Sequence, residues 1–202
     1  MGLRLSAVAI ALTVVATTST AASAIEQPLE FAQTCLQPAD EIDSIADKLE
    51  DAGWNRSFDA DAVVTGLTWI GITDYFTTDT GGETLEAIMA LKAKTASALL
   101  RKKDIPQSKG RFLARGDDIL YIMWRQPKAT VTEIECHAAL SVETMRETFA
   151  QLDLATRPAF HQGPAEISAA GRVTISLLNP EKLAPHSPPG AVVKTYHTSR
   201  NQ

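Results

Sequence analysis

The sequence lacks the short motifs that usually announce an enzyme. It holds no G-x-S-x-G nucleophile elbow, no phosphate-binding loop, no glycine-rich dinucleotide turn and no H-E-x-x-H zinc helix. It also lacks any apolar run long enough to cross a bilayer, the longest stretch near its start being about half of what a spanning helix needs. Basic residues are outnumbered, 19 Lys and Arg against 24 Asp and Glu. That balance argues against a general nucleic-acid binder, which gains affinity by releasing counterions from phosphates. Aromatics are modest at 6%, and there are only two cysteines, neither in a C-x-x-C.

What is present begins with an export signal. Met1 to Arg4 is a short charged start, Leu5 to Ala16 is apolar or small apart from Ser6 and Thr13, and Ala22-Ser23-Ala24 is a small-x-small cleavage pattern. The reading is a signal peptide over residues 1–24, cut after Ala24. The opening Met1-Gly2 with Ser6 also fits a loose myristoylation pattern, but the apolar run and cleavage site that follow would have no purpose on an acylated cytosolic protein. No twin Arg marks the folded-protein export route, and no Cys stands at the cleavage site to carry a lipid. The remaining chain, Ile25 to Gln202, is long enough for one ordinary domain and carries a formal charge of about six negative.

Cys35 and Cys136 are an even pair in an exported chain, and an oxidising compartment favours joining them. A bridge across about a hundred residues removes loop-closure entropy worth roughly 4 to 5 kcal/mol. A redox-active or metal-binding thiol pair is the weaker reading, since only Cys136 has a neighbouring His.

Residues 40–52 place Ile42, Ile45, Ala46, Leu49 and Ala52 on one helical face, with Gly53 as the stop and Trp54 expected to fold back onto the helix. Residues 58–76 conflict: Val63, Leu67 and Ile70 suit a helix while the Val, Thr, Trp and Ile content suits a strand, and a helix is preferred. Gly81-Gly82 breaks the chain before a second long helix over 83–103, whose apolar arc contains Lys92, a residue that must snorkel. Past Pro106 the pattern turns to strands: 111–115 and 118–125 around Gly116-Asp117, then 130–140 with Thr132, Ile134, Cys136 and Ala138 inward and Glu133, Glu135 and His137 outward. Ser141 caps a helix with Val142, Met145, Phe149 and Leu152 as its buried stripe. Val173, Ile175 and Leu177 mark a fourth strand.

The predicted fold is therefore α+β: N-terminal helices, then a mostly antiparallel sheet of four to five strands with one further helix. Residues 25–180 form a single domain. Residues 181–202 are a Pro-rich C-terminal segment, stiffened by Pro185, Pro188 and Pro189, with a last strand at 191–197. No internal repeat is visible.

Chemistry-bearing residues are few. The histidines at 137, 161, 186 and 197 are scattered, without metal-site spacing, and no cofactor or metal is expected. Glu133, Glu135 and His137 lie close enough on a strand face to share a proton or a cation, although a half-buried strand normally shows such a polar face to solvent. Arg115-Gly116-Asp117 spells an adhesive tripeptide but is equally ordinary turn chemistry, and Asn55-Arg56-Ser57 is a glycan acceptor only in a host that glycosylates.

Charge is segregated along the chain. Between Ile25 and Glu83 there are 13 acidic residues against Lys48 and Arg56, whereas Lys92 to Arg115 holds eight basic ones against Asp104. Lys92, Lys94, Arg101, Lys102, Lys103, Lys109 and Arg111 thus form a predicted patch for a protein partner or an anionic envelope component, set against helix-end stabilisation or packing beside the acidic helices.

At Phe31-x-x-x-Cys35-Leu36, the helix ending Gly53-Trp54 and the single downstream Cys136, the chain resembles small exported bacterial proteins of unknown function. The resemblance implies a periplasmic setting and no particular activity. The expected function is a non-catalytic periplasmic binding or adaptor protein. The alternatives are an enzyme with a site assembled from distant residues around His137, or a carrier holding a small molecule between helices and sheet.

Overall fold

The computed structural model describes residues 29–76, 84–102, 109–149, 157–163 and 165–200. The signal-peptide residues, Gly81-Gly82, Lys103 and Leu152 lie outside them.

Four helices come first: α1 (Glu30–Cys35), α2 (Ile42–Asp51), α3 (Ala60–Tyr75) and α4 (Leu85–Leu100). β1 (Gly110–Arg115), β2 (Asp118–Lys128) and β3 (Val131–Leu140) follow, then α5 (Val142–Thr148), two short strands β4 (Phe160–Gln162) and β5 (Glu166–Ser168), β6 (Gly171–Leu178) and β7 (Ala191–Arg200). The α+β class is as the sequence predicts. The sheet has seven strands in the order β1-β2-β3-β7-β6-β4, with β5 also on β6, and every pairing is antiparallel. The strands beyond the predicted four to five are β4 and β5, three residues each, too short to leave an alternating pattern. The chain beyond the prolines enters the sheet as β7, between β3 and β6.

Alternation along the strands builds two cores, one on each sheet face. Leu120, Ile122, Ile134, Cys136, Ala138, Ile175 and Val193 pack with α1, α2 and α5. Phe112, Ile119, Ala139 and Val192 pack with α3 and α4. Both sides of α3 are covered, by the sheet and by α4, which is why its sequence mixes helix and strand signals. Thr68 and Thr73 are buried in it because their hydroxyls donate to the carbonyls of Val64 (2.7 Å) and Ile70 (2.8 Å). Lys92 does snorkel: its stem crosses Gly71, and its ammonium lies 4.5 Å above the Tyr75 ring.

Trp54 folds back as expected. Gly53 takes φ +88°, the Trp54 amide donates to the Leu49 carbonyl at 3.0 Å, and the buried indole meets Phe31 edge-on with centroids 5.8 Å apart. Cys35 and Cys136 are bonded and fully buried, tying α1 to β3.

Candidate functional site

A cleft of about 760 Å³ is bounded by four separate parts of the chain: the start of α3, the β1–β2 turn, the start of α5 and the Pro188-Pro189 loop. Its apolar lining is Phe58, Trp69, Ile119, Ala139 and Val142 with the two prolines. It exists because small residues face one another. α3 presents Ala62, Thr65 and Gly66 on one side, and the sheet presents Ala114 and Ala139. At Gly66 helix and sheet approach so closely that a Cβ would stand 3.0 Å from the Cβ of Ile119.

Charged groups at the cleft are all acidic: Asp59, Asp117 and Glu143 line it, with no Lys or Arg. Asp59 caps α3, one oxygen accepting from the Ala62 amide at 2.8 Å. Glu143 sits in the first turn of α5. Asp117 is a residue of the β1–β2 turn, where Gly116 takes φ +58°. Next to it the buried Asp118 fixes one wall by accepting from the Ser141 amide (2.8 Å) and the Thr144 hydroxyl (3.0 Å), locking α5 to the turn. In the tripeptide, Arg115 lies over the Trp54 ring at 4.7 Å and its neighbour Asp117 lines the cleft.

The described members of the predicted basic patch fall in two places. Arg111 and Lys109 belong to the α2 side of the sheet: Arg111 grips Asp43 with two 2.8 Å bonds, and Lys109 sits 4.2 Å over the Trp124 ring. The paired carboxylate raises the Arg111 pKa, and the guanidinium holds the Asp43 carboxyl below its ordinary value. Lys92 and Lys94 belong to α4, across the sheet, where Lys92 is packed on Tyr75. Lys94, Arg101 and Lys102 are exposed, and Lys103 lies outside the described residues.

Glu133, Glu135 and His137 do share a face, but it is half-buried rather than openly solvated. Their side chains are 21%, 16% and 21% exposed. Arg125 bridges the two carboxylates, Tyr196 donates to Glu133 at 3.3 Å, and His137 Nε2 lies 3.4 Å from Glu135. His137 and Arg125 together hold the Glu135 carboxyl below its usual range, against burial. Lys194, opposite His137 on β7, bonds to Asp74 and to the Ile70 carbonyl at 2.9 Å, and burial lowers its pKa. Each acid or base is thus committed to a neighbour in a structural network. Among the described residues no three His, Cys, Asp or Glu side chains gather in a way that could hold a metal ion. None of the described helices is long and apolar enough to cross a membrane.

The cleft escaped the sequence because its lining comes from residues 55 to 189 in short pieces. The only local signals were the Gly116-Asp117 turn and the Pro188-Pro189 pair, both of which read as chain punctuation.

No protein-family model matches the chain, and no curated protein or solved structure is significantly similar to it.

Proposed function

We propose that this chain is an exported, non-catalytic binding protein of the bacterial periplasm, and that the cleft beside the start of α3 is its binding site. The observation that carries the reading is the cleft itself. Its volume, about 760 Å³, falls in the range of small-ligand sites, and it combines an apolar lining with a few polar groups at its rim. The Ala22-Ser23-Ala24 pattern and the buried Cys35–Cys136 bridge support export. The engagement of Glu133, Glu135 and His137 with Arg125 and Tyr196 favours binding over acid–base catalysis at that face.

A second reading keeps the anionic partner or envelope component. It rests on Lys94, Arg101 and Lys102, the exposed cations of the predicted patch on and just after α4.

The test is native mass spectrometry of protein isolated gently from an envelope extract, comparing wild type with Ala62→Trp, which fills the cleft from an exposed helix position. The reading expects a bound species present on wild type and missing from the variant. A species retained equally by both, but lost at high salt or on charge reversal of Lys94, Arg101 and Lys102, would transfer the function to α4. Unliganded protein in every preparation would overturn both.

A further inference from the structure

We infer that the cleft selects a small organic cation: an apolar body seated against Phe58 and Trp69, with an ammonium or comparable positive group at the rim. This rests on the cleft being the binding site. The argument is one of charge. Three residues with carboxylates from three elements, Asp59 at the cap of α3, Asp117 in the β1–β2 turn and Glu143 in α5, line one cleft whose lining holds no Lys or Arg.

Two helix N-termini face the same opening and oppose this field, each worth roughly half a positive charge. They account for Asp59 and Glu143 as dipole partners. They do not account for Asp117, which belongs to a turn, and together they leave the rim carrying formal negative charge in excess. No ion pair joins any of the three carboxylates to a basic side chain among the described residues, so their charge is available to a ligand. In contrast, the acidic Asp43, Asp47 and Glu50 of α2 are occupied by Arg56, which bonds all three. A half-open cleft with apolar walls concentrates the rim field, and an anion entering it would meet repulsion and lose hydration together.

The experiment uses three probes of one shape and different charge: 2-phenylethylamine, 2-phenylethanol and phenylacetate. Binding to the disulfide-intact protein at neutral pH is followed by ligand-observed NMR, with indole fluorescence as a second readout. The amine is expected to bind at least fivefold more tightly than the alcohol, and the carboxylate most weakly. The amine's advantage should shrink as salt is raised. Asp117→Asn, outside any helix, should cut that advantage with the alcohol's affinity changing far less; adding Glu143→Gln should remove the rest at the small cost in melting temperature of a lost α5 dipole partner.

Equal or better binding of the alcohol or the carboxylate, blocked by Ala62→Trp, would overturn the cation preference and leave the cleft reading standing. Probes that bind equally well to Ala62→Trp, or do not bind at all, would overturn the preference; if the envelope preparations also yield no cleft-dependent species, the cleft reading falls with it.

Discussion

Arg111 on β1 and Asp43 on α2, 68 residues apart, face each other with two hydrogen bonds of 2.8 Å, Nε to Oδ1 and Nη2 to Oδ2. This pair changes the meaning of the segregated charge. Arg111, from the basic segment, packs against the acidic α2 and is spent inside the fold, whereas Lys94, Arg101 and Lys102 of the same segment stay exposed.

A double-mutant cycle over Asp43→Asn and Arg111→Gln should give a coupling of about 1 kcal/mol at neutral pH, the two-pronged geometry being offset by partial exposure. Because the Asp43 carboxyl titrates lower in the folded protein than its ordinary 3.8, this stabilisation is fully present above that value and is lost as pH falls below it. Denaturant unfolding between pH 7 and pH 3 measures both. A coupling that grows on acidification would contradict the assignment.

The Cys35–Cys136 bridge spans 101 residues. Replacing both cysteines by Ala should lower stability by up to about 4 to 5 kcal/mol on chain-entropy grounds. α1, a six-residue helix held by that bond, should lose amide protection first. Hydrogen exchange on the oxidised protein and the variant compares the two directly, and unchanged protection in α1 would be the contrary result.

His197 is 5% exposed; Nδ1 bonds the Ala170 carbonyl, and Nε2 has no partner among the described residues. An unpaired buried nitrogen costs about 1 to 3 kcal/mol. His197→Leu is therefore expected to be neutral or stabilising by about 1 kcal/mol, an unusual outcome for a buried site. A clear fall in the urea midpoint would show that the Nδ1 bond to Ala170 outweighs the unpaired Nε2.

His137→Ala should raise the pKa of Glu135 towards its ordinary 4.5, since the His137 contact is the largest cause of its depression, with Arg125 remaining as the second support. The depressed pKa means that the contribution of Glu135 to stability is present above 4.5 and fades as pH drops below it. Carboxyl chemical shifts followed by NMR read the titration. An unmoved Glu135 would separate the two residues functionally.

Gly171 has φ +150°, and a Cβ there would lie 2.3 Å from the Tyr196 carbonyl and 2.6 Å from a Leu36 methyl. Gly171→Ala should cost about 2 to 3 kcal/mol by forcing β6, β7 and α1 apart. A thermal shift of a degree or less would show that the crowding relaxes easily.

The helices were legible where one face is buried and one solvated. α2 shows this, with Ile42, Ile45, Ala46 and Leu49 all buried as the spacing predicts. α3 was harder to read because burial on two sides erases periodicity. On β3, the inward set of Thr132, Ile134, Cys136 and Ala138 was correct. The outward set was only half right: Arg125 and Tyr196 engage the glutamates and Tyr121 lies beside His137, and no local pattern reports what neighbouring strands bring across. The basic segment shows the same limit, since Lys92 and Lys94 lie on α4 while Lys109 and Arg111 lie by Trp124 and Asp43 on the other side of the sheet.

By itself, then, the sequence determined the longer helices and strands, the pairing of its two cysteines and the α+β class, because these follow from local periodicity and from there being only one possible bridge; the six-residue α1 and the three-residue β4 and β5 are too short to show a period. The tertiary structure alone decided which charges remain available and where a ligand can enter. Ion pairing and cavity formation depend on which elements meet, and Asp59, Asp117, Glu143 and Pro188 meet only once the sheet has brought four remote pieces of chain together.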